Sequence, residues 1–403
     1  MNDVSTRVLL VGGWLAASPQ SAIRFDVEIA GGAIRSLRSW SDASDFTRTT
    51  VVNVAGHLLL PGLINAHDHL EFNLFPRLGR GPYPNAEEWA RDIYRPDLSP
   101  VSEQLSVPKD LRLWWGGLKN LLSGVTTVFH HNPWSPVFES AFPVSVVRRY
   151  GWAHSLTFSN DVSEAFAGTC PATPFVIHLG EGTDAHSQEE VFQLDRMGAL
   201  DYRTVLVHGV AFSDRGHDLW QERGASLVWC PTSNQFTLGA TLSASSVSRM
   251  DRIALGSDSA LTGRGTLIEE IQEARAVGVS ASSIYRMVTE SAAEILRLDK
   301  GEGCVQPGAV ANLLAIPFEG QTPAEAVANI GLDDIAMVLV SGRLHLASSE
   351  MAARWPLQDT DSLEWIVVEG VRKKVRAPVS WLIAETSRFL RDGIHLAGRR
   401  VAA

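Results

Sequence analysis

The 403-residue chain contains few cysteines. Cys170, Cys230 and Cys304 lie far apart, and no C-x-x-C pair occurs. The cysteine pattern therefore suggests neither a disulfide framework nor a cysteine-based zinc site. A reducing cytoplasm is the expected compartment for such a chain.

Positive charge is also in short supply. The chain has 35 basic against 45 acidic side chains, a net charge of −10. Nucleic acids and anionic membranes both select a basic surface, so the expected partner is a small-molecule substrate, with no nucleic acid and no membrane. No apolar run reaches the roughly 18–20 residues of a membrane span.

One apolar stretch, VLLVGGWLAA at 8–17, is similar to the core of a signal peptide. A signal peptide starts with a basic segment, whereas Asp3 and Arg7 precede this stretch together. We therefore expect a first β-strand and a turn here.

The order of the predicted elements indicates two kinds of structure. Short strands fill the first 55 or so residues, including FDVEIAGGAIRSLRS with a hairpin turn at Gly31-Gly32. From residue 58, apolar strands alternate with helical stretches, and after residue 300 strands return. This order predicts an α/β protein with a (β/α)8-type (TIM-like) barrel at 58–301. Residues 1–57 and 302–403 would form a small β-sandwich with a C-terminal extension.

The fourth unit of this barrel is expected to be shortened. If 151–159 is the third strand and 174–181 the fifth, residues 161–174 must supply a helix, a strand and another helix. A βαβ crossover alone needs at least about 10–12 residues. The gap would be covered by a second subunit, which we favour and which predicts a homodimer or higher oligomer, or by the apolar helix VSWLIAETSRFL of the extension.

The stretch INAHDHLEF at 64–72 ends a buried apolar strand on two histidines. His67 and His69 are two residues apart, so a strand places both on the same side. Two explanations are open at this point: a pair of hydrogen-bonded structural histidines, or two ligands of one metal ion.

Other predicted strands end on similar groups, which favours the metal. In TIM-like barrels the active site lies at these strand ends. A single histidine at one strand end is usually structural, but ligand-type residues at several ends are not explained in that way. Three neutral imidazoles and a carboxylate suit one divalent ion with an open position for water. The residues at the other strand ends are His130, His131, His178, Glu181, His208 and Asp258.

Taken together, the motifs resemble the amidohydrolase superfamily, in the branch of cytosine deaminase, guanine deaminase and the chlorotriazine hydrolases. The matching stretches run in the family's order from about residue 55 to 345. The resemblance implies metal ligands at His67, His69, His178 and Asp258. It also implies a proton-shuttling acid at Glu181 and a substrate- or water-contacting His208. The stretches are LPGLINAHDHL, GVTTVF, HLGE, VHG, CPTSN, ALGSD, TESAAEILRL and GCVQPGAVANLLAI.

A single metal ion is expected, with zinc favoured and iron as the alternative. Binuclear relatives bridge two ions through a modified lysine or a carboxylate at the end of the fourth strand. The lysines between His67 and His178 are Lys109, in a loop with a proline, and Lys119, in a predicted helix. Neither is at a predicted strand end.

The sequence therefore predicts a hydrolase that activates water for attack on an sp2 carbon of a nitrogen-rich small molecule. Deamination of an amino-heterocycle is the first hypothesis. Hydrolysis of an amide or cyclic amide is the alternative on the same site. A non-catalytic scaffold is a third possibility, although such proteins usually lose metal ligands, and here the full set is present.

Overall fold

The computed structural model of the protein describes residues 7–39 and 49–402. Asp3, one of the charges considered at the N-terminus, lies outside these residues. Residues 8–17 form strands and a turn, as expected, rather than a continuous helix. Among the described residues, every helix falls short of the length and apolar character needed to cross a lipid bilayer.

The N-terminal strands form a four-stranded sheet in the order β5-β4-β1-β6. The predicted hairpin joins β4 to β5, and Gly31 and Gly32 both have positive φ at its turn. Glycine adopts this conformation without steric cost. The strands are β1 (Arg7–Val11), β2 (Trp14–Ser18), β3 (Ser21–Ile23), β4 (Phe25–Ala30), β5 (Ala33–Ser39) and β6 (Thr49–Asn53), of which β2 and β3 join the next sheet.

Strands from both ends of the chain share one ten-stranded sheet. In it β7 (His57–Pro61) pairs antiparallel with β16 (Leu313–Pro317) and parallel with β2. Apolar side chains of this sheet and of the four-stranded sheet form one buried cluster that includes Leu59 and Leu313. The remaining strands are β17 (Met337–Val340), β18 (Arg343–Ser348), β19 (Glu364–Val368), β20 (Val371–Val375), β21 (His395–Leu396) and β22 (Arg399–Ala402).

The middle of the chain is α/β, as predicted, with strands that pair in parallel. Two sheets run in the orders β10-β9-β8 and β11-β12-β13-β14-β15. The Asp258 amide, after β15, donates to the His67 carbonyl in β8 at 3.1 Å, so the last strand meets the first. The strands are β8 (Leu63–Asp68), β9 (Val125–His130), β10 (Ser145–Val146), β11 (Gly151–Trp152), β12 (Phe175–Leu179), β13 (Thr204–His208), β14 (Ser226–Trp229) and β15 (Ile253–Leu255).

Helices accompany these strands along the chain. Thr266 and Glu269 form the predicted capping box at the start of α9. The α-helices are α1 (Ala86–Ile93), α2 (Val101–Ser106), α3 (Lys109–Leu122), α4 (Val162–Ala167), α5 (Ala185–Arg196), α6 (Asp214–Glu222), α7 (Pro231–Leu238), α8 (Ala244–Val247), α9 (Leu267–Val277), α10 (Ala281–Met287), α11 (Glu290–Ile295), α12 (Pro323–Ala328), α13 (Ser349–Ala352), α14 (Leu357–Thr360) and α15 (Val379–Thr386).

The prediction of a third strand at 151–159 was wrong. Residues 145–146 form β10 beside β9, and only residues 151–152 form β11 beside β12. The short connection 147–150 contains no helix, and α4 alone separates β11 from β12. This arrangement could not be predicted from the sequence, because β10 and β11 are each two residues long and too short to show an apolar period. The fourth strand is therefore present, and the missing element is the helix between β10 and β11.

The helix α15 of the C-terminal extension packs against α3 and β19. Trp115 in α3 donates through Nε1 to Thr386 Oγ1 at 2.9 Å, and both side chains are buried. The apolar face of α15 therefore packs against α3. The structure thus gives no support to the idea that the extension covers residues 161–174.

Gly62 links the ten-stranded sheet to the parallel strands. It is the single residue between β7 and β8. A Cβ at this position would lie 2.1 Å from Thr126 Cγ2, much closer than atoms can approach, so only glycine lets β8 and β9 pack here. One continuous stretch of chain therefore runs from the end sheet into the strand that carries His67.

Candidate active site

The structure brings all four predicted metal ligands together at the strand ends. His178 Nε2 lies 3.2 Å from His67 Nε2 and 3.3 Å from His69 Nε2. Asp258 Oδ1 lies 3.5 Å from His67 Nε2 and 3.6 Å from His69 Nε2. Ligands at about 2.0–2.1 Å from a tetrahedral ion are about 3.3–3.4 Å from each other. These atoms therefore have the spacing needed to surround one divalent ion.

Neighbouring groups fix the atoms that face this point. His178 donates through Nδ1 to the His154 carbonyl at 2.7 Å, which leaves the Nε2 lone pair directed at the cluster. Asp258 Oδ2 accepts from Ser233 Oγ at 2.7 Å and Thr262 Oγ1 at 3.0 Å, while Oδ1 faces the imidazoles. His178 and Asp258 are thus oriented by hydrogen bonds to the protein.

Two strand ends carry unusual backbone. His208 has φ +79° and Asp258 has φ +53°, a region that residues other than glycine rarely adopt. Strain of this kind is concentrated at functional sites, where the surrounding structure holds it in place. Here the turn directs both side chains toward the cluster.

Burial keeps the histidines in the form that binds metals. It lowers the pKa of His67, and it lowers the pKa values of His69 and His178 well below the ordinary value. For Asp258, burial acts to raise the pKa, but the contact with His67 and the neighbouring imidazoles lower it well below its usual range. Neutral imidazoles around an ionised carboxylate are the donor set that a divalent ion requires.

Glu181 and His208 lie side by side at the edge of this cluster. His208 Nε2 is 3.5 Å from Glu181 Oε2, and His208 Nδ1 is 2.8 Å from Asn234 Oδ1 in α7. Burial raises the pKa of Glu181 to about 7. A carboxyl group with this pKa takes up and releases protons at neutral pH, which suits a shuttle.

A cleft opens beside Glu181. Its walls include Asn85, Ser155 and the half-exposed ring of Phe158. Glu190 also lines it, with Oε2 accepting the Gly180 amide at 2.6 Å. The cleft gives polar and aromatic contacts beside the predicted proton shuttle.

Sequence reasoning noted His130 and His131 without giving either a role, and the structure separates them. His130 turns away from the cluster toward Glu71, with its Nε2 3.4 Å from Glu71 Oε2. His131 turns inward, and one nitrogen from each of His67, His69, His131 and His178 lies within 4.8 Å of the others. Alternation along β9 was the signal that could have distinguished the two.

A buried polar network lies behind the cluster. Asp68, between His67 and His69 at the end of β8, meets Lys119 Nζ at 2.8 Å and Asn120 Nδ2 at 2.7 Å, both from α3. Lys119 also donates to Ser257 Oγ at 2.9 Å, beside Asp258. The sequence placed Lys119 correctly in a helix, but gave no sign that its charge is buried behind two ligand-bearing strands.

The sequence matches a known protein family and resembles characterised enzymes. Residues 172–345 match the model of the amidohydrolase family. The 5-methylthioadenosine/S-adenosylhomocysteine deaminase of Syntrophobacter fumaroxidans is 24% identical over 388 residues, which cover 79% of this chain and 86% of that protein.

Solved structures share the fold. A zinc-bound adenosine deaminase from Xanthomonas campestris superposes with a TM-score of 0.68 at 16% identity, covering 96% of this chain and 98% of the other. The atrazine chlorohydrolase of Arthrobacter aurescens TC1, complexed with zinc, gives a TM-score of 0.70 at 15% identity, covering 95% and 99%.

Proposed function

Because this chain is a member of the amidohydrolase superfamily, we propose that it is a metal-dependent hydrolase acting on C–N bonds other than peptide bonds. It activates water for attack on an sp2 carbon of a nitrogen-rich small molecule, and deamination of an amino-heterocycle is the reaction we favour. The deaminase named among its relatives and the chlorohydrolase among its structural neighbours support this substrate class.

The observation that carries the proposal is the spacing of His67, His69, His178 and Asp258. His178 Nε2 and Asp258 Oδ1 each lie 3.2–3.6 Å from the Nε2 atoms of His67 and His69, distances that fit ligands around one ion. We therefore assign these residues as the ligands of a single divalent ion, zinc first and iron as the alternative. When bound, such an ion supplies Lewis acidity, which lowers the pKa of a water molecule held at the open position.

Three residues move or hold the proton. The Asp258 carboxylate lies beside the imidazoles and accepts the proton that water loses as its oxygen bonds to the substrate carbon. Glu181 delivers a proton to the ring nitrogen, and the proton held by Asp258 passes to the leaving amine, which departs as ammonia when its C–N bond breaks. The second proton of the water returns to Glu181, so both carboxyl groups end as they began. His208, held by Asn234, contacts the substrate or the attacking water and lies within reach of Glu181.

The same proposal includes the architecture around the site. We propose that β8–β15 close into a (β/α)8-type barrel at 58–301, and that residues 1–57 and 302–403 form the β-sandwich with its extension. The contact between β15 and β8 supports closure, and the apolar cluster shared by the two end sheets supports the sandwich.

We further propose a homodimer or higher homo-oligomer that works in a reducing cytoplasm. The connection 147–150 supplies no helix to cover β10 and β11, and the three cysteines are free. Light scattering at low concentration tests the assembly, since a clean monomer would contradict it.

The decisive experiment measures metal content by emission spectrometry and ammonia release across purines, pyrimidines, triazines and pterins. We expect about one ion per chain and ammonia from at least one heterocycle. Ring opening of a cyclic amide without ammonia would favour amide hydrolysis instead. Protein without metal and without turnover would support the scaffold hypothesis.

A further inference from the structure

Building on the metal site of the proposed function, we propose that His131 is a fifth protein ligand of the ion. The ion would then be held by four imidazoles and the Asp258 carboxylate. His131 directly follows β9, and its side chain is completely buried. Its ring stacks on that of His178 with 4.3 Å between centroids, and its centroid lies 5.1 Å from that of His67.

The hydrogen bonding of His131 leaves one nitrogen free as a ligand. Its Nε2 lies 2.9 Å from the Ala153 carbonyl. A carbonyl oxygen only accepts, so Nε2 carries the hydrogen and Nδ1 carries the lone pair. Nδ1 is buried and has no hydrogen-bond partner among the described residues. A buried lone pair without a partner calls for one, and a metal ion supplies it.

His178 is held in the same manner. Its Nδ1 donates to the His154 carbonyl, the next one along the chain after that of Ala153. Imidazoles that bind metals commonly donate their second N–H to a backbone carbonyl, which fixes the tautomer and the ring. Two consecutive carbonyls after β11 therefore orient two stacked imidazoles in a metal-binding tautomer.

The distances allow an ion to reach His131. One nitrogen of each of the four histidines lies within 4.8 Å of the other three. Ligands on opposite sides of one ion, each at about 2.0–2.1 Å, are about 4.2 Å apart. Contraction of the cluster around an ion by a few tenths of an ångström would bring His131 into the coordination sphere.

A fifth ligand changes which metal suits the site. Structural and catalytic zinc sites are usually tetrahedral with three or four protein ligands. Five protein ligands and a water make six, the number that iron(II), manganese(II) and cobalt(II) accept readily. His131 therefore shifts the preference from zinc toward a metal of higher coordination number.

The chain provides a matched control in His130. It is adjacent and equally buried, yet its Nδ1 accepts the Leu70 amide at 3.2 Å and its ring faces Glu71. Replacing either histidine with phenylalanine removes one buried imidazole next to the same strand, but only His131→Phe removes one from the cluster.

The test compares cobalt(II)-loaded wild type, His131→Phe and His130→Phe by visible absorption and X-ray absorption. We expect a weak, six-coordinate spectrum with four imidazoles for wild type and for His130→Phe. His131→Phe should lose one imidazole, absorb more strongly and bind cobalt at least about 10–100-fold more weakly. Three imidazoles in wild type would overturn the proposal even if His131→Phe failed to fold. Absence of any bound ion would instead refute the proposed function itself.

Discussion

Lys119 Nζ lies 2.8 Å from Asp68 Oδ2, and neither side chain is exposed to solvent. The pair connects α3 to the residue between His67 and His69, and Lys119 reaches Ser257 beside Asp258 as well. One ammonium group therefore connects the two strand ends that carry three of the proposed ligands, His67, His69 and Asp258.

Removing this ammonium group should destabilise the protein strongly. Lys119→Met leaves the Asp68 carboxylate buried without its counter-charge, a loss of about 3–5 kcal/mol in the free energy of unfolding. Denaturation in urea measures it. The double variant Lys119→Met with Asp68→Asn removes both charges and should recover part of the loss. A single variant as stable as wild type would show that the pair does not hold the fold.

Glu181→Gln should keep the metal and the fold but lose turnover. Glutamine has the same size yet cannot carry a proton, and loss of one acid–base partner costs about 10²–10⁴-fold in rate. The measurement is kcat on a confirmed substrate, with metal content determined on the same sample. Glu189→Gln, an exposed change on α5, is the control. Near-full activity in Glu181→Gln would remove it as the shuttle.

His178→Ala and His208→Asn should separate metal binding from catalysis. His178 Nε2 faces two other proposed ligands, so its loss should remove most of the metal. His208 lies beside Glu181, so its substitution should reduce the rate far more than the metal content. Emission spectrometry and steady-state rates give both quantities. Equal metal loss in the two variants would place His208 on the ion.

Glu270 predicts a pH dependence of stability. Burial raises its pKa from 4.5 to about 8, while its carboxylate accepts the Thr232 amide at 2.9 Å. The folded state then binds this proton more tightly than the unfolded state. Its contribution to stability is complete below pH 4.5 and is lost as the pH rises toward about 8.

Urea unfolding of wild type and Glu270→Gln across this pH range checks the prediction. The difference in unfolding free energy between the two should change steadily between pH 4.5 and 8, to the disadvantage of wild type at higher pH. Glu222→Gln, an exposed substitution in α6, should follow wild type. Parallel curves for wild type and Glu270→Gln would show that Glu270 does not titrate in this window.

The sequence predicted those features that leave a local pattern. The apolar strands that carry His67, His178 and His208 are long enough to show their period, and the capping box at Thr266 marks a helix start. Asp258 also follows a predicted apolar strand, the resemblance assigned it as a metal ligand, and the structure brings it beside the histidines.

Features that depend on the packing of distant segments could not be predicted in this way. The strands β10 and β11 have two residues each and become strands through their neighbours β9 and β12. The burial of Lys119 depends on the position of α3 against β8, and the orientation of His131 depends on the Ala153 carbonyl. None of these contacts is local in sequence.

Gly62 has a consequence for how the molecule melts. Only one residue separates β7 from β8. Unpairing of the ten-stranded sheet therefore displaces the strand that carries His67. The two regions should then unfold as one cooperative unit, so that a calorimetric scan shows a single transition. A metal ion bound at the histidines would raise the temperature of that transition for the whole chain, including strands far from the ion.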